Sequence, residues 1–293
     1  MATLEQILDA LPISPTDRVL EIGGGCMPFW RTDVQCDNDL TESRERAGPL
    51  ERRTPLVCGD ITALPFRNQS FDFVICSQVL EHVTDPVRAC AELSRVAACG
   101  YIETPAPVRE LLFGWPFHRW IVEQDNDGLV FAPNLLPQPF DLRFHTLALA
   151  CPEFREFVRA RHDVLNVTCR WEGSIRCRVT SFPAERFRPF AAVEEGSVRR
   201  WLKQTDVGGI DFMCPAEPRH PLARLFAKVN RRAKHGWIRR RHRSRLSGER
   251  LRSVLCCPHC QGDLVWQAGA AECRPCRRTF LCHDSVPDFV HPA

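Results

Sequence analysis

Along its first hundred residues the chain alternates short apolar runs with polar or glycine-bearing stretches. Residues 19–22 form an apolar run interrupted by one acid, Glu21, and pass straight into Gly23, Gly24 and Gly25. Further runs follow at 34–36, 56–58, 71–76 and 100–103, and several meet an acidic or turn residue: Asp37, then Gly59 and Asp60, then Ser77. Apolar runs this short, bounded by such residues, predict strands buried on both faces. Between the fourth and fifth, Thr84, Asp85 and Pro86 predict a helix start, a capping side chain followed by proline in the first turn. Val87, Cys90, Leu93 and Val96 then recur at helical spacing and are expected to face the sheet. Strands alternating with helices imply an α/β fold, a doubly wound and mostly parallel sheet with right-handed crossovers. Only eight residues lie between Gly25 and Val34, too few for a usual first crossover helix. Phe29 and Trp30 are expected to cover that side instead.

The pattern changes downstream. Residues 165–171 and 175–181 are two β-rich runs around Glu172, Gly173 and Ser174, which predict a hairpin. Residues 104–160 are rich in proline and aromatics and suit an irregular cap over the sheet edge. Residues 1–217 are therefore expected to form the main domain, with 104–160 as its cap or insertion; 218–252 a basic, partly helical linker; and 253–293 a small terminal domain. The opening residues 1–8 read as a short amphipathic helix, without the basic start of a secretory signal.

Charge sharpens this division. Residues 1–217 hold 23 Lys/Arg against 31 Asp/Glu, whereas 218–293 hold 16 against 5. The linker concentrates 13 basic residues against Glu249 alone, a density that would bind phosphate or an anionic membrane surface, or would simply be solvated. No apolar run reaches 18 residues, so no transmembrane segment is expected and a cytoplasmic location is the default. Of the 16 cysteines, ten are scattered singly between Cys26 and Cys214, and six crowd into residues 256–282. Scattered thiols plus one cluster in an unsecreted chain point to reduced cysteines and a metal site. Cys257 and Cys260, then Cys273 and Cys276, form two C-x-x-C knuckles twelve residues apart. That spacing closes a tetrahedral, structural Zn²⁺ site, with Cys256 and Cys282 as buried neighbours rather than ligands.

The ordered set of Gly23 to Gly25, Gly59-Asp60-Ile61-Thr62-Ala63-Leu64-Pro65-Phe66, Ser70-Phe71-Asp72-Phe73-Val74 and Val79-Leu80-Glu81-His82-Val83 resembles class I S-adenosylmethionine-dependent methyltransferases. The likeness is to the group that includes the ubiquinone and menaquinone biosynthesis enzymes. A dinucleotide-binding unit would instead carry G-x-G-x-x-G, and here Cys26, Met27 and Pro28 follow the glycines. The resemblance implies a Rossmann-like, seven-stranded sheet ending in an antiparallel strand pair, and S-adenosyl-L-methionine as cofactor. It implies that Gly23, Gly24 and Gly25 approach the methionine moiety and that Glu21 positions its amino group. Asp37 would take the ribose hydroxyls and Asp60 the adenine amine, with Ile61 and Ser77 lining the same cleft. Asp39 is the alternative ribose ligand; Asp37 is favoured because it directly ends the apolar strand. His82 is the best-placed candidate base, ahead of His118 and Glu103, although a histidine that only packs near the helix start would read the same way. The cysteine-bearing segment resembles the zinc ribbon that accompanies several methyltransferases, including its ending Val286-Pro287-Asp288-Phe289. The expected activity is methyl transfer to a small-molecule or glycan-like acceptor. Alternatives are an RNA methyltransferase gripping through the basic linker and ribbon, and a non-catalytic cofactor-binding scaffold.

Overall fold

A computed structural model of the 293-residue chain describes residues 9–41, 45–46, 48–136, 140, 142–186 and 246–291. The expected helix at 1–8 and the basic segment 218–245 lie outside the described residues.

The central sheet is built from β1 (Val19–Ile22), β2 (Val34–Asp37), β3 (Leu56–Cys58), β4 (Phe71–Ser77), β5 (Ala97–Pro105) and β8 (Asn166–Glu172), in the order β3-β2-β1-β4-β5-β8. Its first five strands run parallel, and β8 runs antiparallel beside β5. Every residue of β1, β2 and β3 is buried, as expected where a parallel sheet is covered on both faces. The crossover helix α1 (Pro86–Val96) begins where the sequence placed it: Asp85 caps it by accepting from the Arg88 N–H at 2.9 Å. Its buried stripe runs through Pro86, Ala89, Cys90, Leu93 and Val96. Val87, expected on that stripe, is 44% exposed, because helical rotation carries it about a third of a turn away. No helix separates β1 from β2; residues 23–31 cross as turns, with Phe29 buried and Trp30 at the surface.

Among the described residues this sheet has six strands, with β8 as its antiparallel edge strand. One expectation is corrected. The predicted hairpin across 165–181 opens: β8 pairs with β5, while β9 (Cys177–Val179) joins β7 (Gly128–Pro133), which also pairs with β6 (Trp120–Asp125) in a separate sheet. The physical reason lies at Gly128 and Gly173. Gly173 turns the chain with φ +73°. Gly128 lets the Arg176 carbonyl come so close that a Cβ there would stand 2.1 Å from its oxygen. The Leu129 N–H then bonds that carbonyl at 2.9 Å and seats β9 on β7. The stretch 104–160 is also more regular than its composition suggests. It holds α2 (Pro107–Phe113), the hairpin of β6 (Trp120–Asp125) and β7, α3 (Arg143–Ala150) and α4 (Pro152–Ala160), before the single turn α5 (His162–Leu165).

At the C-terminal end, α6 (Glu249–Val254) leads into a four-stranded antiparallel sheet of β10 (Leu264–Gln267), β11 (Ala270–Cys273), β12 (Thr279–His283) and β13 (Val286–Pro287). This unit covers the open β3 edge of the central sheet. Asp288 bridges to Cys58, the Phe289 N–H donates to the Cys58 carbonyl at 2.9 Å, and the Cys256 N–H donates to the Pro65 carbonyl at 3.0 Å. An uncovered edge strand invites pairing with another chain, and here the protein's own terminus closes it.

Candidate functional site

The strand order reverses around β1: β2 lies on one side and β4 on the other. In open α/β sheets ligands bind beyond the carboxyl ends of the strands at such a point. Gly23 to Gly25, Asp37, Gly59 to Ile61 and Ser77 all follow or end the carboxyl ends of β1, β2, β3 and β4.

The glycine turn is shaped by what lies beneath it. Gly23 has φ +67°, and a Cβ there would stand 2.4 Å from Val79 Cγ2; a Cβ on Gly24 would stand 2.9 Å from the Glu21 carboxyl carbon. Both positions need glycine to keep the turn pressed on the sheet. Glu21 is buried, and its carboxyl accepts from the Phe29 N–H at 3.0 Å and the Thr32 hydroxyl at 2.7 Å. Burial lifts its pKa to about 7, more than these hydrogen bonds lower it. Its acceptors are thus engaged inside the turn. Asp37, also buried, faces Arg46 Nη2 at 3.2 Å, and Arg46 further donates to the carbonyls of Asp39 and Thr41. Burial raises the Asp37 pKa against the pull of Arg46. Asp39 instead folds onto Thr41, accepting from its N–H and hydroxyl. Asp60 is exposed and caps the short 3-10 turn Ile61–Ala63 through Thr62, while Ile61 is buried beside it.

Beyond β4 the chain turns sharply at Gln78, a non-glycine residue with φ +57°. Backbone strain of this kind concentrates at functional sites. Gln78 Nε2 donates to Glu103 Oε1 at 3.1 Å, Ser77 Oγ to the same oxygen at 3.4 Å, and the Tyr101 hydroxyl to Glu103 Oε2 at 2.7 Å. His162 Nε2 lies 3.0 Å from that second oxygen. Burial opposes ionisation of Glu103, but His162 and Tyr101 outweigh it and hold the pKa low. Next along the chain stand Glu81 and His82. His82 stacks on Phe117 with ring centroids 5.5 Å apart, Phe117 stacks on Trp115 at 5.5 Å, and His118 meets His82 edge-on at 4.7 Å. Burial, with the charges of His118 and Arg119, drives the His82 pKa down to about 3, so its imidazole is neutral. Glu81 is fully buried, and burial lifts its pKa to about 8.

The site residues read from the sequence thus fall into three places. Glu21, the glycines and Asp37 share the β1–β2 end; Asp60 and Ile61 sit one strand away; Ser77 joins the Glu103 network, with His82 on the far side of Val79. Sequence reasoning gave no part to Arg46, or to Glu110, whose carboxylate holds His118 Nδ1 at 2.7 Å. Neither carries a local motif. The sulfurs of Cys257, Cys260, Cys273 and Cys276 lie within 4.8 Å of one another, with 3.6 Å between Cys257 and Cys276 and 3.4 Å between Cys260 and Cys273. Cys256 is buried outside that set and Cys282 is half-buried.

Fold and site together define a Rossmann-like α/β domain with a ligand edge at the end of β1. Residues 33–100 match the family described as "Methyltransferase domain". Among curated proteins it is 34% identical over 100 residues to the demethylmenaquinone methyltransferase of Renibacterium salmoninarum, covering 32% of this chain and 42% of that protein. With the enzyme of the same name from Roseiflexus castenholzii the identity is 36% over 121 residues, 36% of this chain and 51% of that one. The chain thus spans about two fifths to one half of the length of these relatives. A solved S-adenosylmethionine-dependent methyltransferase from Thermotoga maritima is 27% identical, covering 38% of this chain and 53% of that chain with a TM-score of 0.29.

Proposed function

We propose that this protein transfers a methyl group from S-adenosyl-L-methionine to a small-molecule acceptor. The observation that carries the reading is the placement of the family match: residues 33–100 supply β2 to β4 and reach into β5, whose ends complete the edge begun by the glycine turn. The donor set fits the cofactor. Backbone bared at Gly23 to Gly25 admits close approach, and the carboxylates of Asp37 and Asp60 are acceptors suited to hydroxyl and amine donors. Glu21 acts from beneath, as a positioning residue that holds Phe29, Thr32 and the turn in place. Asp37 would exchange Arg46 for the ribose hydroxyls. Ile61 and Ser77 border the cleft on either side. When bound, the cofactor supplies a methyl group already activated on a sulfonium, so the chain's task is chiefly alignment and exclusion of water.

The acceptor would sit beyond Ser77, between the Gln78, Glu103 and His162 network and the ring stack of His82, Phe117 and Trp115. Flat aromatic walls facing a fixed carboxylate suit a planar acceptor bearing a hydroxyl or enol. The relatives bear the name demethylmenaquinone methyltransferase, which agrees with that class. His82, expected as the base, has a proton affinity too low to take a proton readily from a hydroxyl. It serves better as part of the wall.

For the terminal unit we propose a structural zinc ion on Cys257, Cys260, Cys273 and Cys276. Bonds of about 2.3 Å to a tetrahedral ion set sulfurs about 3.8 Å apart, close to the separations found here. The RNA alternative rests on the basic linker 218–252 and the terminal unit; residues 218–245 of that linker lie outside the described residues. No helix among the described residues is long and apolar enough to cross a membrane.

Calorimetric titration with S-adenosylhomocysteine tests the main reading. Asp60→Ala and Asp37→Ala should each weaken binding at least tenfold, the loss of a charge-assisted hydrogen bond worth about 1.5–3 kcal/mol. Undiminished binding in both would remove the pocket assignment.

A further inference from the structure

Glu81 lies in a place where a carboxylate has no evident reason to be. It is fully buried, and neither oxygen accepts a hydrogen bond among the described residues. A buried acid is normally satisfied by donors, a cation or a metal ion, because leaving it unpaired forfeits its hydration. Its neighbours donate no hydrogen bond to it. They do supply metal ligands. One carboxylate oxygen of Glu81 and one ring nitrogen each of His82 and His118 lie within 4.8 Å of one another.

The orientation of the two imidazoles is the second, independent observation. His118 Nδ1 is held by Glu110 Oε1 at 2.7 Å, and Glu110 is itself buried and fixed by the Asn134 amide at 3.2 Å through its other oxygen. His82 Nδ1 lies 3.4 Å from Glu45 Oε2, and His82 Nε2 faces Glu81 Oε1 at 3.8 Å. His118 therefore has a glutamate bonded at Nδ1, which leaves its Nε2 free to ligate, while His82 Nδ1 is buried without a hydrogen bond and its Nε2 faces Glu81. At His118 this is the arrangement that fixes tautomer and aim in metal-bound histidines, where an outer carboxylate takes one nitrogen and the metal the other. The backbone holds the three ligands together: the Glu81 carbonyl accepts from the Arg119 and Trp120 N–H groups, locking the segment that carries His118 onto the one that carries His82.

We propose that Glu81, His82 and His118 form a second metal site, separate from the four cysteines, that takes a divalent transition ion of the zinc class, with Glu110 positioning His118. Two imidazoles and a carboxylate form a borderline donor set suited to such an ion. Ligands about 2.1 Å from a common ion stand roughly 3–3.5 Å apart, so the set closes with side-chain shifts of about an ångström. Three protein ligands leave positions open, the mark of a site that engages a further molecule rather than one that only braces the fold. Lying just past β4, the ion would hold an acceptor through its hydroxyl or enol oxygen and favour the deprotonated form. That role rests on the methyltransferase reading; the metal site itself does not.

The test is a metal count on the full chain, dialysed against Zn²⁺ and then against metal-free buffer. One zinc equivalent should disappear in Glu81→Gln and in His118→Ala, while the equivalent held by thiolates remains. Replacing zinc by Co²⁺ identifies each: thiolate-to-cobalt charge-transfer bands should persist in Glu81→Gln, and the weaker nitrogen- and oxygen-ligand bands should vanish. Glu110→Gln, which leaves every ligand in place, should weaken Co²⁺ binding at this site ten- to a hundredfold. It keeps the test decisive should a ligand variant fail to fold. Metal content and spectra unchanged in Glu81→Gln, or Co²⁺ affinity unchanged in Glu110→Gln, would overturn the site. S-adenosylhomocysteine binding on the same samples separates the two readings. A chain that loses zinc with Glu81→Gln yet never binds the nucleoside overturns the methyltransferase alone, and one that binds it without this zinc overturns the metal site alone.

Discussion

The central sheet and the terminal cysteine-bearing unit hold themselves together by different means. In β1, β2 and β3 every residue is buried, and their side chains join α1, Phe66 and Phe71 in one continuous core. In the terminal unit β10 has no buried residue and β12 buries only Phe280. A sheet with so little interior cannot offset its chain entropy by burial alone. Its order must come from four sulfurs lying close together and from docking on the central sheet, where Leu251, Val254, Leu255, Phe280 and Phe289 join that same core. The sheet therefore survives local loss by redundancy, whereas the terminal unit depends on a few discrete links.

The sharpest way to break this contrast is to remove two of those links. Cys257→Ser combined with Cys260→Ser should abolish the proposed zinc site; in small zinc domains such a site contributes about 10 kcal/mol or more. Hydrogen exchange should show residues 257–283 losing protection while β1, β4 and β5 keep theirs. Retained protection in both regions would mean that the terminal unit has a sufficient core after all.

The sheet should fail in the opposite manner, only where backbone meets backbone. Gly23→Ala places a Cβ 2.4 Å from Val79 Cγ2 at a residue with φ +67°. A cost of about 2–3 kcal/mol in denaturant unfolding is expected, with at least a tenfold loss of S-adenosylhomocysteine affinity. A variant as stable as the parent would show that the turn is slack.

The same contrast explains what could be read in advance. The strand positions of the sheet were legible because each is an apolar run long enough to bury and short enough to exclude a helix. The Asp85–Pro86 start was legible because capping is local chemistry. The two C-x-x-C knuckles were legible because their spacing alone brings four sulfurs together. What escaped was non-local. Nothing near residues 175–181 announces that Gly128, some fifty residues earlier, will make room for the Arg176 carbonyl to accept from the Leu129 N–H and draw β9 away from β8. Arg46 and Glu110 escaped for another reason: they lie within ten residues of the partners they hold, Asp37 and His118, but no motif marks them. Glu81 gains its character only from burial. Val87 was misplaced because two adjacent helical registers both contained hydrophobic residues.

A subtler difference lies in proton linkage. Glu21 is buried under the glycine turn with its pKa raised from 4.5 to about 7. Below pH 4.5 folded and unfolded chains are both protonated there, and the group is neutral to stability. As pH rises toward 7 the unfolded chain releases its proton first, so this position destabilises the fold increasingly, by up to about 3 kcal/mol. Glu21→Gln resembles the protonated acid and should remove this dependence. The stability of the variant relative to the parent should grow between pH 4.5 and 7 and then level off. A constant difference across that window would mean that Glu21 is ionised throughout.

The smallest effect is expected where sheet and terminal unit meet in solvent. Arg67 Nη2 lies 2.7 Å from Asp263 Oδ1, and both side chains are largely exposed. Exposed pairs contribute about 0–1 kcal/mol and are screened by salt. Beside them, the Arg67 N–H donates to the Val254 carbonyl at 2.9 Å, a bond that any side chain at 263 leaves in place. Asp263→Asn should therefore lower stability by about 0.5 kcal/mol or less at low salt and by nothing measurable at high salt. A loss of several kcal/mol, or one indifferent to salt, would mean that the terminal unit docks through this ion pair and not through the backbone contacts at Cys58 and Pro65.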